Sequence, residues 1–247
     1  MAMGSPPGSR ADLSVLDDGA LGGHNRYDRC LALTRRDPQL ALSAAKSWEV
    51  SAGGSPATHC AAVALVALKR YPDAARQLDR LGHANLGSAL ERAEIFDQAG
   101  NAWLLASRGG EATASFSSAL ALSPNDPDLL ADRARAAAFL RDWKAADLDL
   151  SSALKLDASR ADLLILRASA RHAFGRKAEA RTDVEAALRI LPNYPEALLE
   201  RGTLKLETGD TKGARADWEA VVATGGGSAA AETAQQRLNT LARPKAK

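Results

Sequence analysis

Arginines and aspartates recur along the chain at a fixed spacing, and they are the residues with the clearest potential for charge chemistry. Each arginine is followed 16 residues later by an aspartate, and each pair lies 34 residues after the pair before it. The pairs are Arg133 with Asp149, Arg167 with Asp183, and Arg201 with Asp217. A guanidinium group can donate two parallel hydrogen bonds to one carboxylate. The matched spacing predicts three structural ion pairs, each bridging two helices; the alternative is that the arginines line a groove and hold an acidic ligand.

Histidine and cysteine side chains give little support for catalysis or metal binding. The histidines are scattered, and His59, Cys60 and Cys30 lack the paired CxxC or HxxxH spacings of common zinc sites. The sequence also lacks a GxSxG nucleophile elbow, a phosphate-binding loop and an HExxH motif. We therefore predict no catalytic residues, no metal site and no cofactor, and a protein that is not an enzyme.

The elements that carry the charged residues belong to an internal repeat of 34 residues, clearest from about Asn125 to Gly226. One slot of the repeat holds small residues, which are Gly100, Ala134, Ala168 and Gly202. Another slot holds large apolar residues, which are Phe116, Leu150, Val184 and Trp218. A small residue lets two helix backbones approach closely, and the large residue fills the groove between them. A period of this length predicts stacked helical units instead of one central core.

The slots resemble those of the tetratricopeptide repeat family, whose unit is a helix–turn–helix of about 34 residues. The residues that carry the resemblance are Ala112, Phe116, Ala119 and Pro124, and again Ala180, Val184, Ala187 and Pro192. The resemblance implies an all-α fold, an α-α superhelical solenoid of about six helix pairs with a C-terminal capping helix. In this family the first helices line a concave face that commonly takes up a peptide or helix of a partner.

The repeat divides the chain into five predicted segments. They are a disordered N-terminal segment at 1–21 that includes residues typical of an expression vector, two divergent helix pairs at 22–92, four regular pairs at 93–227, a capping helix at 228–242 and a solvated tail at 243–247. About four residues between Gly82 and Gly87 exceed the period. We expect them to form a longer connection before the next pair.

Cys30 and Cys60 are the only two cysteines in the chain. They fall on the first helices of neighbouring repeats, which lie side by side in this architecture, so we predict a disulfide between them. The alternative is that both are small buried residues of a helix interface. A disulfide in an otherwise cysteine-free chain favours an oxidising compartment such as a periplasm over the cytoplasm.

Charge and hydropathy exclude two classes of partner. The net charge is only +2, which gives no electrostatic footprint for nucleic acid or an anionic membrane. No apolar run approaches the roughly 18 residues that a membrane-spanning helix requires. The sequence therefore predicts no nucleic-acid partner and no insertion into a membrane, and it does not determine the oligomeric state.

A protein-binding surface is the function that the resemblance implies. Projected onto this chain, the candidate residues of the concave face are Asp97, Asn101, Arg135, Ser169, His172 and Thr203. We expect a protein or peptide partner, with Arg135 and His172 as the leading contacts. We therefore predict an interaction scaffold, in bacterial envelope assembly for example; the alternative is a regulatory or docking subunit of an enzyme complex.

Overall fold

The structure is a computed structural model that describes residues 23–85, 87–224 and 226–242. Within these ranges the chain forms thirteen α-helices and no β-strand, so the predicted all-α class is confirmed. The predicted N-terminal segment at 1–21 and the tail at 243–247 lie outside the described residues. The helices are α1 (Gly23–Arg36), α2 (Pro38–Val50), α3 (Gly54–Ala67), α4 (Tyr71–His83), α5 (Ala89–Leu105), α6 (Gly109–Leu122), α7 (Pro127–Phe139), α8 (Trp143–Leu156), α9 (Ala161–Ala173), α10 (Lys177–Ile190), α11 (Pro195–Glu207), α12 (Thr211–Thr224) and α13 (Ala229–Ala242).

Two compact units divide the chain, Met1–Pro124 and Asn125–Lys247, called here the N-terminal and C-terminal units. The N-terminal unit contains the helix pairs α1/α2, α3/α4 and α5/α6, and the C-terminal unit contains α7/α8, α9/α10 and α11/α12. The final helix, α13, packs on both α11 and α12. It covers the apolar face that a further pair would otherwise occupy, which is the role of a capping helix in a repeat array.

Side-chain caps explain where several helices begin. Asp37 accepts a backbone hydrogen bond at the start of α2, and Asp126 does so at the start of α7. A proline follows each aspartate at the first helical position, where its fixed φ is favourable and its missing N–H needs no partner. These caps fix the first turn of a helix, so they help to set the register of its buried face.

The additional length of the repeat near Gly82 and Gly87 lies in a helix more than in a loop. We expected a longer connection, but α5 begins at Ala89 and has 17 residues, whereas α7, α9 and α11 have 13 each. Ser88 and Glu91 form a reciprocal capping box at its first turn. This box starts α5 early, so the extra length of this repeat lies in α5 more than in the connection before it.

The turn inside each pair from α3/α4 onward places one residue in the left-handed backbone region. In the four regular repeats these residues are Ser107 (φ 59°), Arg141 (φ 62°), Gly175 (φ 84°) and Gly209 (φ 88°). Glycine adopts this conformation without steric cost, whereas a side chain makes it less favourable. The left-handed backbone conformation therefore recurs at this position of the repeat even where the residue type differs.

No helix of the described residues combines the length and the apolar character needed to cross a bilayer.

Candidate functional site

Three bidentate ion pairs join first and second helices within the C-terminal unit. In each, the arginine Nε and Nη2 atoms lie 2.7–3.0 Å from the two carboxylate oxygens of the aspartate. The pairs are Arg133–Asp149, Arg167–Asp183 and Arg201–Asp217. All three aspartates are buried. Because the protein itself occupies each guanidinium fork, the geometry favours the structural interpretation over an acidic ligand.

Two of these aspartates have a second cation that the sequence analysis missed. Arg171 Nη1 lies 2.8 Å from Asp183, and Lys205 Nζ lies 2.8 Å from Asp217. Each added cation is four residues after the arginine of its pair and therefore lies on the same helix face. The same slot of α7 holds Ala137, so the first pair lacks this second cation. The four-residue spacing was the signal that could have revealed them.

The two cations together set the protonation of Asp217. Burial disfavours its charged form, but hydrogen bonds and charges of Arg201 and Lys205 outweigh burial and hold the pKa of this carboxyl below its usual value. In the first pair, hydrogen bonding to Asp149 raises the pKa of the Arg133 guanidinium. The Arg201–Asp217 pair therefore remains charged at neutral pH.

A different polar cluster occupies the equivalent place in the N-terminal unit. Ser115 stands in the slot that holds aspartate in the later repeats, and its hydroxyl donates to Asp79 at 2.7 Å. The indole of Trp103 donates to the other oxygen of Asp79, also at 2.7 Å. Asp79 thereby joins α4 to both helices of the next pair. Sequence spacing gave no indication of this cluster, because Asp79 lies outside the repeated slots.

His172 lies between two carboxylates of α11. Its Nδ1 is 2.6 Å from Glu200 and its Nε2 is 3.0 Å from Glu207, which also pairs with Lys177 at 2.8 Å. Burial lowers the pKa of His172, but the hydrogen bonds and charges of both glutamates outweigh it and raise the pKa above its usual value. Both ring nitrogens already have partners, so a ligand that contacts this ring must displace a glutamate.

Arg135 and Ser169, two of the predicted contact residues, line an open groove between α7 and α9 whose floor includes residues of α8. The groove has a volume of about 220 Å³. Apart from these two residues its lining is apolar and consists of Ala131, Ala134, Ala138, Trp143, Ala146, Leu150, Leu166, Ala170 and Ala173. At its rim the Arg135 side chain is 49% exposed and pairs with Asp132 on its own helix. We call this site the α7–α9 groove.

Small side chains of α7 line this groove. Ala131 and Ala138 on α7 correspond to Ile165 and His172 on α9, one period later. In that repeat Ile165 is buried, and His172 reaches across to the glutamates of α11. The groove is thus lined by two alanines at positions that hold larger side chains in the next repeat.

The remaining predicted contact residues are distributed over both units. In the N-terminal unit, Asn101 donates to the backbone oxygen of Asp97 at 3.1 Å and to its carboxylate at 3.2 Å. Asn101 also lines a groove of about 250 Å³ that is bounded by residues of α3, α4 and α5. In the C-terminal unit, the Thr203 hydroxyl donates to the carbonyl of Leu199 at 2.9 Å. Two of the six candidates, Arg135 and Ser169, lie together in the α7–α9 groove.

The two cysteines form the predicted disulfide. Cys30 and Cys60 join α1 to α3 with their Cα atoms 6.2 Å apart, and both are buried. The neighbouring His59 is hydrogen-bonded to Tyr27 at 2.6 Å and to Gln98 at 2.7 Å, and burial lowers its pKa. These groups are therefore not arranged to bind zinc. Across the part of the chain that is described, no three His, Cys, Asp or Glu side chains are placed to hold a metal ion.

Comparison with known proteins identifies the fold. No protein family profile matches the sequence, and no curated protein matches it. Among solved structures, MamA matches with a TM-score of 0.57 at 15% identity over 71% of this chain and 96% of MamA. A MamA fragment from Desulfovibrio magneticus RS-1 matches with a TM-score of 0.59 at 16% identity over 68% of this chain and 92% of the fragment.

YrrB, described as a TPR protein with an unusual peptide-binding site, matches with a TM-score of 0.56 at 17% identity. That match covers 77% of this chain and 96% of YrrB. At these identities the likeness defines the fold. The chain is an all-α helical-repeat protein. Its particular fold is the tetratricopeptide repeat fold, as the sequence resemblance implied.

Proposed function

We propose that the chain is a non-catalytic protein-interaction protein that binds a partner peptide on the face formed by its first helices. The observation that carries the proposal is the α7–α9 groove, which is open, almost entirely apolar and large enough for a side chain. An apolar side chain that enters such a groove releases water from both surfaces. Burial of one leucine-sized side chain contributes about 1.5–3 kcal/mol, so additional contacts at the rim must supply the rest of the affinity.

Arg135 and Ser169 are the polar groups suited to those additional contacts. Both lie at the groove, and Ser169 is exposed on α9. Among the described residues, Arg135 forms an ion pair only with Asp132 of its own helix, in an exposed contact that contributes little to stability. Its other donors can therefore bind backbone carbonyl groups of a peptide whose side chain occupies the groove. The peptide-binding site described for YrrB supports the use of this fold for such a function.

A docking subunit of an enzyme complex is the second candidate function. It is favoured by large apolar side chains that are half exposed where first helices end, namely Phe139, Leu140 and Phe174. Such side chains suit a broad and permanent interface better than a reversible peptide site. A stable complex of fixed stoichiometry that survives gel filtration and Ala138→Leu would favour this alternative.

An oxidising compartment, such as a bacterial periplasm, is part of the same proposal. The buried disulfide between Cys30 and Cys60 supports it, because structural disulfides persist outside reducing cytosol. A role in envelope assembly is compatible with that location. Intact-mass analysis of protein recovered from its natural source, alkylated before reduction, tests the proposal: two alkylated thiols would contradict it.

The function is tested by filling the groove. Ala138 lines the α7–α9 groove, so a leucine in its place should occupy the volume that a partner side chain needs. Peptides are first selected from a displayed random library on the wild-type chain. Ala138→Leu should lower the affinity of the groove-binding peptides by about tenfold or more, as expected when one side chain of the peptide is no longer buried.

Ala178→Leu is the matched control, because it makes the same change at an exposed position of α10. It should leave peptide affinity unchanged, and both variants should keep the wild-type melting temperature within a few degrees. Equal affinity of the selected peptides for wild type and Ala138→Leu would overturn the assignment of the groove.

A further inference from the structure

A second cavity of the C-terminal unit lies between α11, α12 and the final helix α13. Its volume is about 540 Å³, more than twice the 220 Å³ of the α7–α9 groove. Its apolar lining residues are Leu206, Trp218 and Leu241, and its polar lining residues are Thr233, Gln236, Arg237 and Thr240. The cavity thus has an apolar part that includes Trp218 and a polar wall from α13.

The guanidinium of Arg237 is the one charged group in this lining. Its central carbon lies 5.8 Å from the ring centroid of Trp218, within the range of a cation–π contact. The indole is itself fixed, since Trp218 is 1% exposed and its Nε1 donates to the carbonyl of Leu199 at 3.2 Å. No carboxylate among the described residues forms an ion pair with Arg237. Within the described part of the chain, this exposed guanidinium therefore lies beside an apolar surface without a counter-ion.

Some of the other polar groups of the wall already have hydrogen-bond partners, and one has none in the described ranges. The hydroxyl groups of Thr233 and Thr240 donate to backbone carbonyls of α13 at 2.8 and 2.9 Å, so their protons are used. The carboxamide of Gln236 has no partner among the described residues and can both donate and accept. Available to a ligand are thus an apolar surface, a guanidinium and a carboxamide.

We propose that this cavity binds a peptide segment in which an aliphatic residue stands next to an aspartate or glutamate. The aliphatic side chain packs against Leu206, Trp218 and Leu241, and the carboxylate accepts hydrogen bonds from Arg237. Gln236 pairs with a main-chain amide of the segment. Charge complementarity selects this occupant, because the lining contains a cation and no acid. The site uses other helices than the α7–α9 groove, so either can fail without the other.

The test uses a displayed random peptide library selected on the full chain carrying Ala138→Leu, which removes the first groove from competition. Clones should be enriched in Leu, Ile or Val next to Asp or Glu. Synthetic peptides of these clones should bind Arg237→Gln at least about tenfold more weakly, the effect of losing a charge-assisted hydrogen bond. Replacing the acidic residue of the peptide by its amide should cause a similar loss on the wild-type cavity and almost none on Arg237→Gln.

Arg215→Gln is the control, because Arg215 is an exposed arginine of α12 that pairs with Glu219. It should bind the peptides as the parent does, and melting temperatures should show that every variant folds. Selection without acidic enrichment would overturn the proposal. Equal binding to Arg237→Gln would also overturn it, as would acidic clones whose affinity depends on Arg135 instead.

Discussion

Gly202 lies against the indole of Trp218, so a methyl group on this glycine would come within 2.8 Å of ring atom Cδ1. Gly100 has the same relationship to Phe116, at 2.6 Å. In the two repeats between them the large residue is aliphatic and the small one is alanine, as in Ala134 with Leu150 and Ala168 with Val184. The sizes of the two slots are therefore matched repeat by repeat, as close packing of two helices requires.

Gly202→Ala should destabilise the protein despite the better helix propensity of alanine. The added methyl overlaps a buried ring, and overpacking of this kind costs about 1–3 kcal/mol. In a Trp218→Leu background the same change should cost much less, because the ring is gone. Urea unfolding of the four proteins gives the coupling as a double-mutant cycle.

Gly110→Ala is the control for this prediction. Gly110 is helical, and a methyl group there would meet no atom within 4 Å. It should keep or raise stability, since alanine restricts the unfolded chain more than glycine does. Equal effects of Gly202→Ala and Gly110→Ala would contradict the size matching.

The three ion pairs should not be equally sensitive to loss of their arginine. Arg133→Ala leaves Asp149 buried and without its bidentate partner, a change that costs roughly 3–5 kcal/mol. Arg167→Ala should cost less, because Arg171 still lies 2.8 Å from Asp183. Chemical denaturation of the two variants measures the difference.

The exposed pair of Arg215 with Glu219 provides the reference for that comparison. Arg215→Ala should change the free energy of unfolding by about 1 kcal/mol or less. A cost for Arg167→Ala equal to or above that of Arg133→Ala would show that the second cation does not compensate.

His172 should give the C-terminal unit a stability that depends on pH. Its folded pKa is raised above 6.5 while the unfolded value stays near 6.5. The stabilisation from its contacts with Glu200 and Glu207 is therefore fully present below pH 6.5 and is lost as the pH rises through the folded pKa. The stability of the His172→Gln variant should not fall in this way as the pH rises. Thermal unfolding of both proteins, from below pH 6.5 to above the folded pKa, measures the difference.

NMR titration of the imidazole resonances checks the cause directly. His172 should titrate above 6.5, whereas His59, whose pKa is lowered by burial, should titrate below 6.5. A lower pKa for His172 than for His59 would contradict the proposed clamp between the two glutamates.

Reduction of the disulfide should destabilise the N-terminal unit. Cys30 and Cys60 close a loop with a sequence separation of 30, and the entropy of such a loop corresponds to about 3–4 kcal/mol. Cys30→Ser with Cys60→Ser should lower the unfolding free energy by a similar amount. Wild type in reductant should match the double variant, and reductant should not affect the variant further. If reductant also lowered the stability of the double variant, breakage of the disulfide would not be the cause of the destabilisation.

The helices could be predicted from the sequence because the same pattern of small and large residues recurs in several repeats. The slots of Gly202 and Trp218 show which faces are buried, since only helix interfaces demand a small residue opposite a large one. The disulfide followed from the placement of its cysteines on neighbouring first helices. The early start of α5 could not be read from the period, because it depends on the capping box of Ser88 and Glu91.

The candidate site was harder to predict from the sequence than the helices were. Spacing placed Arg135 and Ser169 on first helices, but it could not show that Ala131 and Ala138 leave a groove beside them. An alanine on a helix face can mark either a close contact between two helices or an unfilled groove. The sequence is the same in both cases, so the structure is needed to tell them apart. His172 was expected to face a partner, yet its contacts with α11 depend on glutamates of the next repeat.

Alanine methyl NMR with a selected peptide tests the central claim most directly. The methyl groups of Ala138 and Ala173 line the α7–α9 groove, whereas that of Ala178 is exposed on α10. A peptide bound as proposed should shift the first two resonances in proportion to occupancy and leave the third unchanged. Saturating peptide that moves the Ala178 resonance and leaves those of Ala138 and Ala173 in place would contradict the account.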